Sequence, residues 1–341
     1  MSPDGVRGVV QDVPAASLSS LEALGDQFAL NAPTERKRML VIVNPYATTV
    51  SDRLRNLVVY ALQGRYDVDA VDTEARDHAT ALTREAAGEG YDVVVAFGGD
   101  GTVNEAANGL RGSSTPLTCL PGGSTNVYAR MLGIPNDIVD ATEHLLRIAD
   151  DWQPREVHMA VVNERRFLFS SGLGLDASVV KRVDSHPHLK ARFGPYYFAW
   201  CGFGEFLGKY VAKPPRLETV TDGGVPVPGV TVLVQKGEPY TYFRKLPIHA
   251  AHGATLTDRT LAGVVLRSTR PTVMPGVMFR LFSERAKLER HRQVDGFAGA
   301  HEVVVRSVDG REVPLHVDGD YIGDVVEARY GVDELPLHVV S

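Results

Sequence analysis

Short apolar runs alternate with amphipathic stretches between residue 38 and about residue 150. The β-branched runs at 39–43, 93–97 and 116–120 predict buried strands, and the alternating pattern of 66–72 predicts another. Because strands that alternate with helices pair in parallel through right-handed crossovers, an α/β N-terminal domain with a parallel sheet is expected. The helices predicted from apolar residues at helical spacing are 52–63, 77–89, 103–110, one that starts at Val127, and 138–149.

The pattern changes beyond residue 150, where strand-length runs are joined by turn signals rather than by helices. Asp-Gly pairs at 222–223, 309–310 and 318–319 predict tight turns. The chain therefore divides into an α/β domain at 37–150 and a β-rich C-terminal domain at 151–329. The strands predicted in the second domain are 157–162, 166–170, 230–235, 261–268, 301–308 and 315–318.

Residues 1–36 are rich in Ser, Ala, Pro and Asp. Leu18, Leu21, Leu24 and Phe28 have the spacing of one short amphipathic helix. The default prediction for this segment is a flexible N-terminal arm.

Residues 98–102 form a glycine-rich loop between a buried strand and a helix. Glycines let the backbone approach phosphate oxygens, and the N–H groups at a helix start point toward them. Asp100 within this loop would repel a bare phosphate, so the loop predicts a nucleotide phosphate site that includes Mg²⁺. The alternative is a tight strand-to-helix turn whose Asp caps the helix. The loop matches neither the Walker sequence nor GxGxxG.

Three other loops are predicted to lie beside this one. They follow the other strands of the sheet and carry Asn44, Thr73 and residues 123–126. Ligands of parallel α/β sheets collect at the carboxyl ends of the strands. We therefore expect the four loops to form one ligand site.

Charge and cysteine content indicate which binding partners and which cell compartment to expect. The 341 residues carry a net charge of −6, which disfavours nucleic-acid binding. Cys119 and Cys201 lack CxxC spacing and lie in apolar surroundings, so buried reduced thiols in a cytoplasmic protein are expected. No secretory leader is evident, and no run approaches the ~18 apolar residues that a membrane span needs. Contact with a bilayer would therefore be peripheral.

Four segments together resemble the diacylglycerol kinase catalytic-domain family, which includes bacterial lipid kinases and is related to sphingosine kinases. They are Asn44-Pro45, GGDGTVNEAANGL at 98–110, PGGSTN at 121–126 and VDGDYIG at 317–323. The resemblance covers residues 38–341. The GGDGT core alone is shared with NAD kinases and, loosely, with phosphofructokinases, and the later segments make the match specific.

The resemblance implies an α/β nucleotide-binding domain of the NAD kinase/phosphofructokinase type, rejoined by residues 330–341, and a sandwich-like second domain, with the active site between them. It implies that Asp100 holds the Mg²⁺ of Mg·ATP. Asp318 and Asp320 match the family's Asp-Gly-Glu element and would provide the catalytic base, although Asp-Gly between strands is also a common hairpin turn. The implied ATP-site residues are Asn44, Pro45, Tyr46, Ala47, Thr48, Thr73, Gly98, Gly99, Asp100, Gly101, Thr102, Val103, Asn104, Glu105, Gly123, Ser124 and Asn126.

Three segments depart from the family pattern, and Asp320 stands where the family has Glu, which shortens the reach by one methylene and leaves open which carboxylate is the base. Asn126 is followed by Val127-Tyr128 rather than Asp-Phe, and 46–49 replaces a glycine-rich segment. The family's Asp-Gly-Leu-Leu-Asp segment, which holds a structural Mg²⁺, reads DRTLA at 258–262 here. Asp258 is the one acidic residue kept there and remains the candidate ligand.

Two segments bear on a lipid acceptor. The aromatic stretch 196–207 is typical of a core helix and could also line an acyl chain. The stretch 280–292 mixes apolar and basic residues, which suits either an anionic membrane surface or a solvated helix face. His249 and His252, like His186 and His188, lack companion ligands at useful sequence spacing and are expected to be structural or solvated.

The combined prediction is a lipid kinase that transfers the γ-phosphoryl group of Mg·ATP to diacylglycerol or a long-chain base. It would be cytoplasmic and associate peripherally with the inner face of the membrane, and pairing into a homodimer through exposed strand edges stays open. One alternative is a NAD kinase-like enzyme. Another is a catalytically silent lipid- or nucleotide-binding protein of the same fold.

Overall fold

The computed structural model describes residues 14–30, 35–186, 201, 202, 204, 210 and 213–341. The chain divides into two compact units. The first contains residues up to Val157 together with Leu335–Ser341, and the second is His158–Glu334. The predicted aromatic stretch 196–207 lies almost entirely outside the described residues.

The first unit is built on a six-stranded sheet in the order β2-β1-β3-β4-β20-β5. Its first four strands pair in parallel, as predicted. Strand β20 also pairs in parallel with β4, whereas β5 pairs antiparallel with β20. The strands are β1 (Lys37–Val43), β2 (Tyr66–Asp72), β3 (Val93–Gly98), β4 (Leu117–Pro121), β5 (Arg155–Val157) and β20 (Leu337–Val339). The helices are α1 (Ala15–Ala29), α2 (Asp52–Leu62), α3 (His78–Ala86), α4 (Asp100–Leu110), α5 (Val127–Met131) and α6 (Ile138–Arg147).

Apolar periodicity explains these elements. All residues of β3 are buried because strands in a parallel sheet are covered by helices on both faces. Ser51 begins α2 by accepting a hydrogen bond from the Leu54 N–H, and Asp137 begins α6 in the same way.

The two cysteines are free and buried, which confirms the prediction for them.

Part of the N-terminal segment differs from the flexible arm predicted for residues 1–36. Residues Ala15–Ala29 form α1, whose Leu18, Leu21 and Leu24 are buried. This helix packs against α2 and α6. The prediction of an arm was wrong for these residues because the weak leucine spacing was outweighed by the polar composition around it, whereas burial against two helices stabilises the helix.

The second unit consists mainly of two six-stranded antiparallel sheets, in the orders β10-β9-β16-β19-β6-β7 and β15-β14-β11-β8-β17-β18. Their first set of strands is β6 (Ala160–Val162), β7 (Arg165–Phe167), β8 (Ser170–Leu173), β9 (Leu217–Thr221), β10 (Val227–Gly229), β11 (Thr231–Gln235) and β14 (Leu261–Leu266). The remainder are β15 (Val294–Ala300), β16 (Val303–Ser307), β17 (Val313–Val317), β18 (Asp320–Val325) and β19 (Glu327–Val332). A separate hairpin pairs β12 (Thr241–Phe243) with β13 (Leu246–Ile248), and the helices are α7 (Leu175–Asp184) and α8 (Met274–Leu281).

The two large sheets share one hydrophobic core. Val232 and Leu315 from one sheet pack with Phe167, Val303 and Tyr330 from the other. Alternation along antiparallel strands produces such a sandwich, because one face of each sheet is apolar. The sandwich-like fold implied by the resemblance is therefore present.

The second unit also departs from the predicted strands. The predicted strand 157–162 is split, because β5 ends in the first unit at Val157 and β6 begins at Ala160. Strands β9, β10, β15, β18 and β19 were missed because glycines and acidic residues interrupt their patterns, and pairing with neighbours decides such cases. The stretch 280–292 is not one helix, since α8 ends at Leu281 and a short 3₁₀ turn follows at Leu288–Arg290.

No helix among the described residues is both long and apolar enough to cross a bilayer.

Candidate active site

Four loops of the first unit meet along one edge of its parallel sheet. Thr73, Asn44 and Gly122 each extend a strand ladder by one hydrogen bond: Thr73 N–H donates to the Val43 carbonyl (2.8 Å), Asn44 N–H to the Phe97 carbonyl (2.9 Å) and Gly122 N–H to the Gly98 carbonyl (2.9 Å). The strand order β2-β1-β3-β4 lines these loops up in the same sequence. The structure thus brings together the four loops that the sequence singled out.

The two glycine loops pack backbone against backbone. A Cβ on Gly122 would lie 2.8 Å from the Gly98 Cα, and a Cβ on Gly123 would lie 2.8 Å from the Gly99 Cα. A Cβ on Gly98 would meet the Thr102 hydroxyl at 2.5 Å. These three positions therefore require glycine for packing alone, whatever the loops bind.

Gly99 is different. A Cβ there would lie 3.5 Å from the nearest atom, the Gly123 Cα, which is ordinary van der Waals contact. Gly99 has an extended conformation at the start of α4 and has a negative φ of −87°. Packing therefore tolerates a side-chain carbon at this position. Gly99 directly precedes the first turn of α4, whose backbone N–H groups have no hydrogen-bond partner within the helix.

Asp100 connects the two glycine loops. The N–H groups of Val127 and Tyr128 donate to its two carboxylate oxygens at 3.0 and 2.9 Å. The carboxylate therefore caps α5, where the helix dipole favours a negative charge, rather than capping its own helix α4.

Two asparagines fix the shapes of these loops. Asn126 has a left-handed conformation (φ 49°), accepts the Gly123 N–H at 2.8 Å, and donates to the Gly123 carbonyl and to Asn136. Asn44 accepts the Tyr46 N–H and donates to the Thr102 hydroxyl, each at 3.0 Å. Both amides therefore build the site as well as border it, and no sequence pattern pointed to Asn136.

The remaining predicted nucleotide-site residues differ in exposure. Tyr46 and Ser124 are exposed, whereas Val103 and Asn104 are buried in α4. The Asn108 amide donates to the Asn104 carbonyl and side-chain oxygen at 2.9 and 3.0 Å. Half-buried positions are Pro45, Ala47, Thr48, Gly101 and Glu105. Thr49, which the sequence analysis did not select, donates from both its N–H and its hydroxyl to the Gly122 carbonyl.

In the second unit, Asp318 lies at the turn between β17 and β18. Its φ of 49° and the 85° of Gly319 make this the left-handed hairpin turn that Asp-Gly favours. The buried carboxylate accepts the N–H groups of Leu168 (2.7 Å), Phe169 (3.0 Å) and Ser170 (3.1 Å). These three donors fix the position of the carboxylate. Asp320 is exposed at the first position of β18.

An acid–histidine cluster, which sequence spacing did not reveal, joins His316 of β17 to Asp176 of α7 and to Tyr240. The Asp176 carboxylate is 2.5 Å from both His316 Nε2 and the Tyr240 hydroxyl. Burial raises the pKa of Asp176, but the His316 charge and the hydrogen bonds from His316 and Tyr240 outweigh it and lower the pKa overall. A Cβ on Gly172 would lie 2.6 Å from His316 Nε2, so glycine makes room for the cluster.

An ammonium group lies beside the predicted metal ligand Asp258. Lys236 is buried, and its Nζ donates to the carbonyls of Thr255 (2.6 Å) and Leu256 (3.1 Å). Burial lowers the pKa of Lys236 to about 8, and the charge of exposed Asp258 acts against this. The Lys236 ammonium group thus binds two carbonyl oxygens of the loop that contains Asp258. Metal binding by Asp258 stays a prediction.

Sequence comparison finds a family similarity in the first unit. Residues 38–157 match the family described as the diacylglycerol kinase catalytic domain. The match covers the parallel sheet through β5 and all four loops described above.

Relatives and solved structures extend the similarity over most of the chain. A diacylglycerol kinase of Staphylococcus aureus strain RF122 is 28% identical over 300 residues, which cover 84% of this chain and 87% of that protein. A diacylglycerol kinase structure from Bacillus anthracis superposes with a TM-score of 0.64 at 20% identity, covering 88% of this chain and 95% of that one. A second structure from the same organism gives 0.67 at 24% identity and the same coverage of this chain. The structural matches establish the fold.

Proposed function

We propose that this chain is an ATP-dependent lipid kinase that transfers the γ-phosphoryl group of Mg·ATP to the hydroxyl of diacylglycerol or a similar long-chain lipid. The observation that carries the proposal is the pair of interlocked glycine loops at the start of α4, within the residues that match the diacylglycerol kinase catalytic domain. Phosphoryl transfer needs positioning and charge stabilisation more than covalent chemistry, and such loops suit both needs.

The first unit would bind the nucleotide. First-turn N–H groups of α4 and the backbone of 122–124 would contact the phosphates, which the small loops allow to approach closely. The donor set fits a magnesium ion, because Mg²⁺ prefers carboxylate oxygens and two backbone N–H groups hold the Asp100 carboxylate between the glycine loops. Bound Mg²⁺ would neutralise phosphate charge, and Asp100 would orient it.

The second unit would supply the proton acceptor. Asp318 is our candidate because three backbone N–H groups hold its carboxylate in one orientation, as a positioned proton acceptor requires. Asp320 is the alternative, since it is exposed and one residue beyond the turn. Asp318 would accept the hydroxyl proton as the lipid oxygen attacks the γ-phosphorus, while the bond between the γ-phosphorus and the β–γ bridging oxygen breaks and ADP leaves.

Labelled phosphate transfer tests the proposal. The purified chain would be incubated with γ-labelled Mg·ATP and mixed micelles that contain diacylglycerol, monoacylglycerol, ceramide or sphingosine, with NAD as a soluble acceptor. We expect label in one lipid class. Label in NAD alone would favour the NAD kinase-like alternative, and bound ATP without any labelled acceptor would favour a silent binding protein.

We further propose that the protein is cytoplasmic and reaches its lipid by docking on an anionic membrane surface. Met278, Phe279 and Phe282 are exposed on and just after α8, and Phe279 is the most exposed of them at 69%. Exposed Arg285 and Arg292 follow within the same segment. Apolar side chains beside basic ones suit insertion between anionic headgroups.

Vesicle binding tests the docking surface. Phe279→Ala should weaken binding to vesicles that contain phosphatidylglycerol several-fold, because about 0.8 kcal/mol is lost per buried CH₂. Val225→Ala is the matched control, since Val225 is 85% exposed but lies in another loop. Sedimentation with sucrose-loaded vesicles measures both. Equal binding of the two variants, or equal binding to neutral vesicles, would remove the docking surface from the account.

A further inference from the structure

Three potential metal ligands of the second unit come together at the base of the β12–β13 hairpin. Glu238, His249 and His252 each offer one ligand atom, and the three atoms lie within 4.8 Å of one another. Sequence spacing offered these histidines no companion ligand, and they were expected to be structural or solvated. The hairpin supplies a neighbouring carboxylate that spacing does not reveal, because Tyr240 N–H donates to the Ile248 carbonyl (2.9 Å) and brings Glu238 back to the residues that follow β13.

The backbone that carries these ligands is held at several points. His249 N–H donates to the Leu281 carbonyl at the end of α8 (3.0 Å). The buried Gln235 side chain makes two hydrogen bonds to the backbone of Ala251, at 3.1 and 3.2 Å. Gly253 N–H donates to one Glu238 oxygen at 2.6 Å. The ligand positions are therefore set by the fold before any ion binds.

The histidine nitrogens are arranged as metal ligands require. His252 Nδ1 lies 3.1 Å from both carboxylate oxygens of Glu289, so Nδ1 is engaged by this carboxylate and Nε2 is the nitrogen left for a metal ion. His249 Nε2 is buried and makes no hydrogen bond within the part of the chain that the structure describes. The two rings are stacked at 11° with centroids 6.1 Å apart. A carboxylate that orients a metal-ligating histidine is a recurrent arrangement in metal sites.

We propose that Glu238, His249 and His252 bind a divalent transition-metal ion, with Zn²⁺ as the best fit, and that Glu289 orients His252. Two imidazoles and a carboxylate are a three-ligand zinc set that leaves a fourth position for water. Mg²⁺ and Ca²⁺ fit poorly because they prefer oxygen ligands. The ion would fasten the β12–β13 hairpin to residues 249–253, and this site shares no residue with the proposed ATP site.

Metal titration of the full chain tests the site. After treatment with a chelator, we expect the protein to bind one equivalent of Zn²⁺ in competition with a chromophoric indicator, and Co²⁺ to give visible d–d absorption. Bound Zn²⁺ should raise the melting temperature, because an ion that binds only the folded state stabilises it. An absence of binding at micromolar Zn²⁺ would overturn the proposal.

Variants identify the ligands. Glu238→Gln and His252→Gln should each abolish stoichiometric binding, whereas His301→Gln, an exposed histidine outside the cluster, should bind like the wild type. Glu289→Gln should weaken Zn²⁺ affinity by roughly 10- to 100-fold. Wild-type affinity in either ligand variant would refute the assignment. If circular dichroism shows that His252→Gln is unfolded, the exposed Glu238→Gln variant decides the question.

Discussion

Lys236 places a positive charge where solvent does not compensate it. Its side chain is buried and its ammonium group is bonded to two backbone carbonyls of the loop that contains Asp258. Burial disfavours the charged form, and the pKa of Lys236 falls to about 8. The loop is thus held by an ammonium group that is costly to charge.

The low pKa of Lys236 should make the free energy of unfolding depend on pH. The unfolded chain binds more protons at Lys236 than the folded chain between pH 8 and the ordinary lysine pKa, so the contribution to the free energy of unfolding rises with pH in this window. The difference in unfolding free energy between wild type and Lys236→Met should rise by up to about 3 kcal/mol from pH 7.5 to pH 10. Urea unfolding at several pH values measures it. A difference that stays flat or falls would contradict the low pKa.

Single residues of the candidate site also serve two purposes at once. Asp100, Asn44 and Asn126 were selected from the sequence as nucleotide-site residues, and the structure shows that each also forms a hydrogen bond to a residue outside its own loop. Sequence spacing could identify the residue types and their loops. It could not identify partners such as Val127 or Asn136, because those contacts depend on how two loops meet in space.

At the scale of elements, α3 and α4 pack together through a glycine. Gly109 is the next-to-last residue of α4. A Cβ on Gly109 would lie 1.9 Å from the Thr83 hydroxyl and 2.5 Å from the Thr80 carbonyl. Close approach of the two helices therefore explains a residue that is otherwise unfavourable within a helix.

Gly109→Ala should therefore destabilise the protein by roughly 1–3 kcal/mol, because overpacking exceeds the gain of about 1 kcal/mol in helix propensity. Gly88→Ala is the control, since its Cβ would meet its nearest atom at 3.4 Å without a positive φ. Thermal unfolding followed by circular dichroism compares them. Equal melting temperatures for the two variants would show that α3 and α4 are not packed as closely as described.

Gly99→Ala separates phosphate binding from loop packing. The methyl group has room beside Gly123, so the melting temperature should stay near that of the wild type. It would stand in front of the first turn of α4, where we propose that phosphate oxygens approach, and ATP affinity should fall at least tenfold. Calorimetric titration with Mg·ATP measures this. Unchanged affinity would mean that the nucleotide does not approach this turn.

For the whole molecule, the sequence predicts those strands and sites whose pattern lies within one short segment, and it misses those that depend on contacts between distant segments. In the first unit, periodicity within single segments specified every strand of the parallel sheet up to β4, and β2 was predicted at its observed bounds. In the second unit, strands such as β15 and β18 lack a clean alternation and are defined by their partners. The Glu238–His249–His252 cluster was likewise not predictable from sequence spacing, because the fold of the β12–β13 hairpin brings its residues together.

The central claim is that the chain phosphorylates a lipid hydroxyl with Asp318 as proton acceptor. The most direct measurement is the initial rate of label transfer from γ-labelled Mg·ATP to diacylglycerol in mixed micelles, for wild type, Asp318→Asn and Asp320→Asn. Circular dichroism and melting curves of each variant report folding separately, because losing the Asp318 carboxylate leaves a buried N–H less well satisfied at a cost of about 1–3 kcal/mol.

We predict that wild type labels the lipid and that folded Asp318→Asn is slower by roughly 10²- to 10⁴-fold, the contribution expected of a general base. Asp320→Asn should retain most of the wild-type rate. A folded Asp318→Asn variant at full rate, with Asp320→Asn inactive, would move the proton acceptor to Asp320. Absence of labelled lipid with folded wild type that binds Mg·ATP would contradict the account.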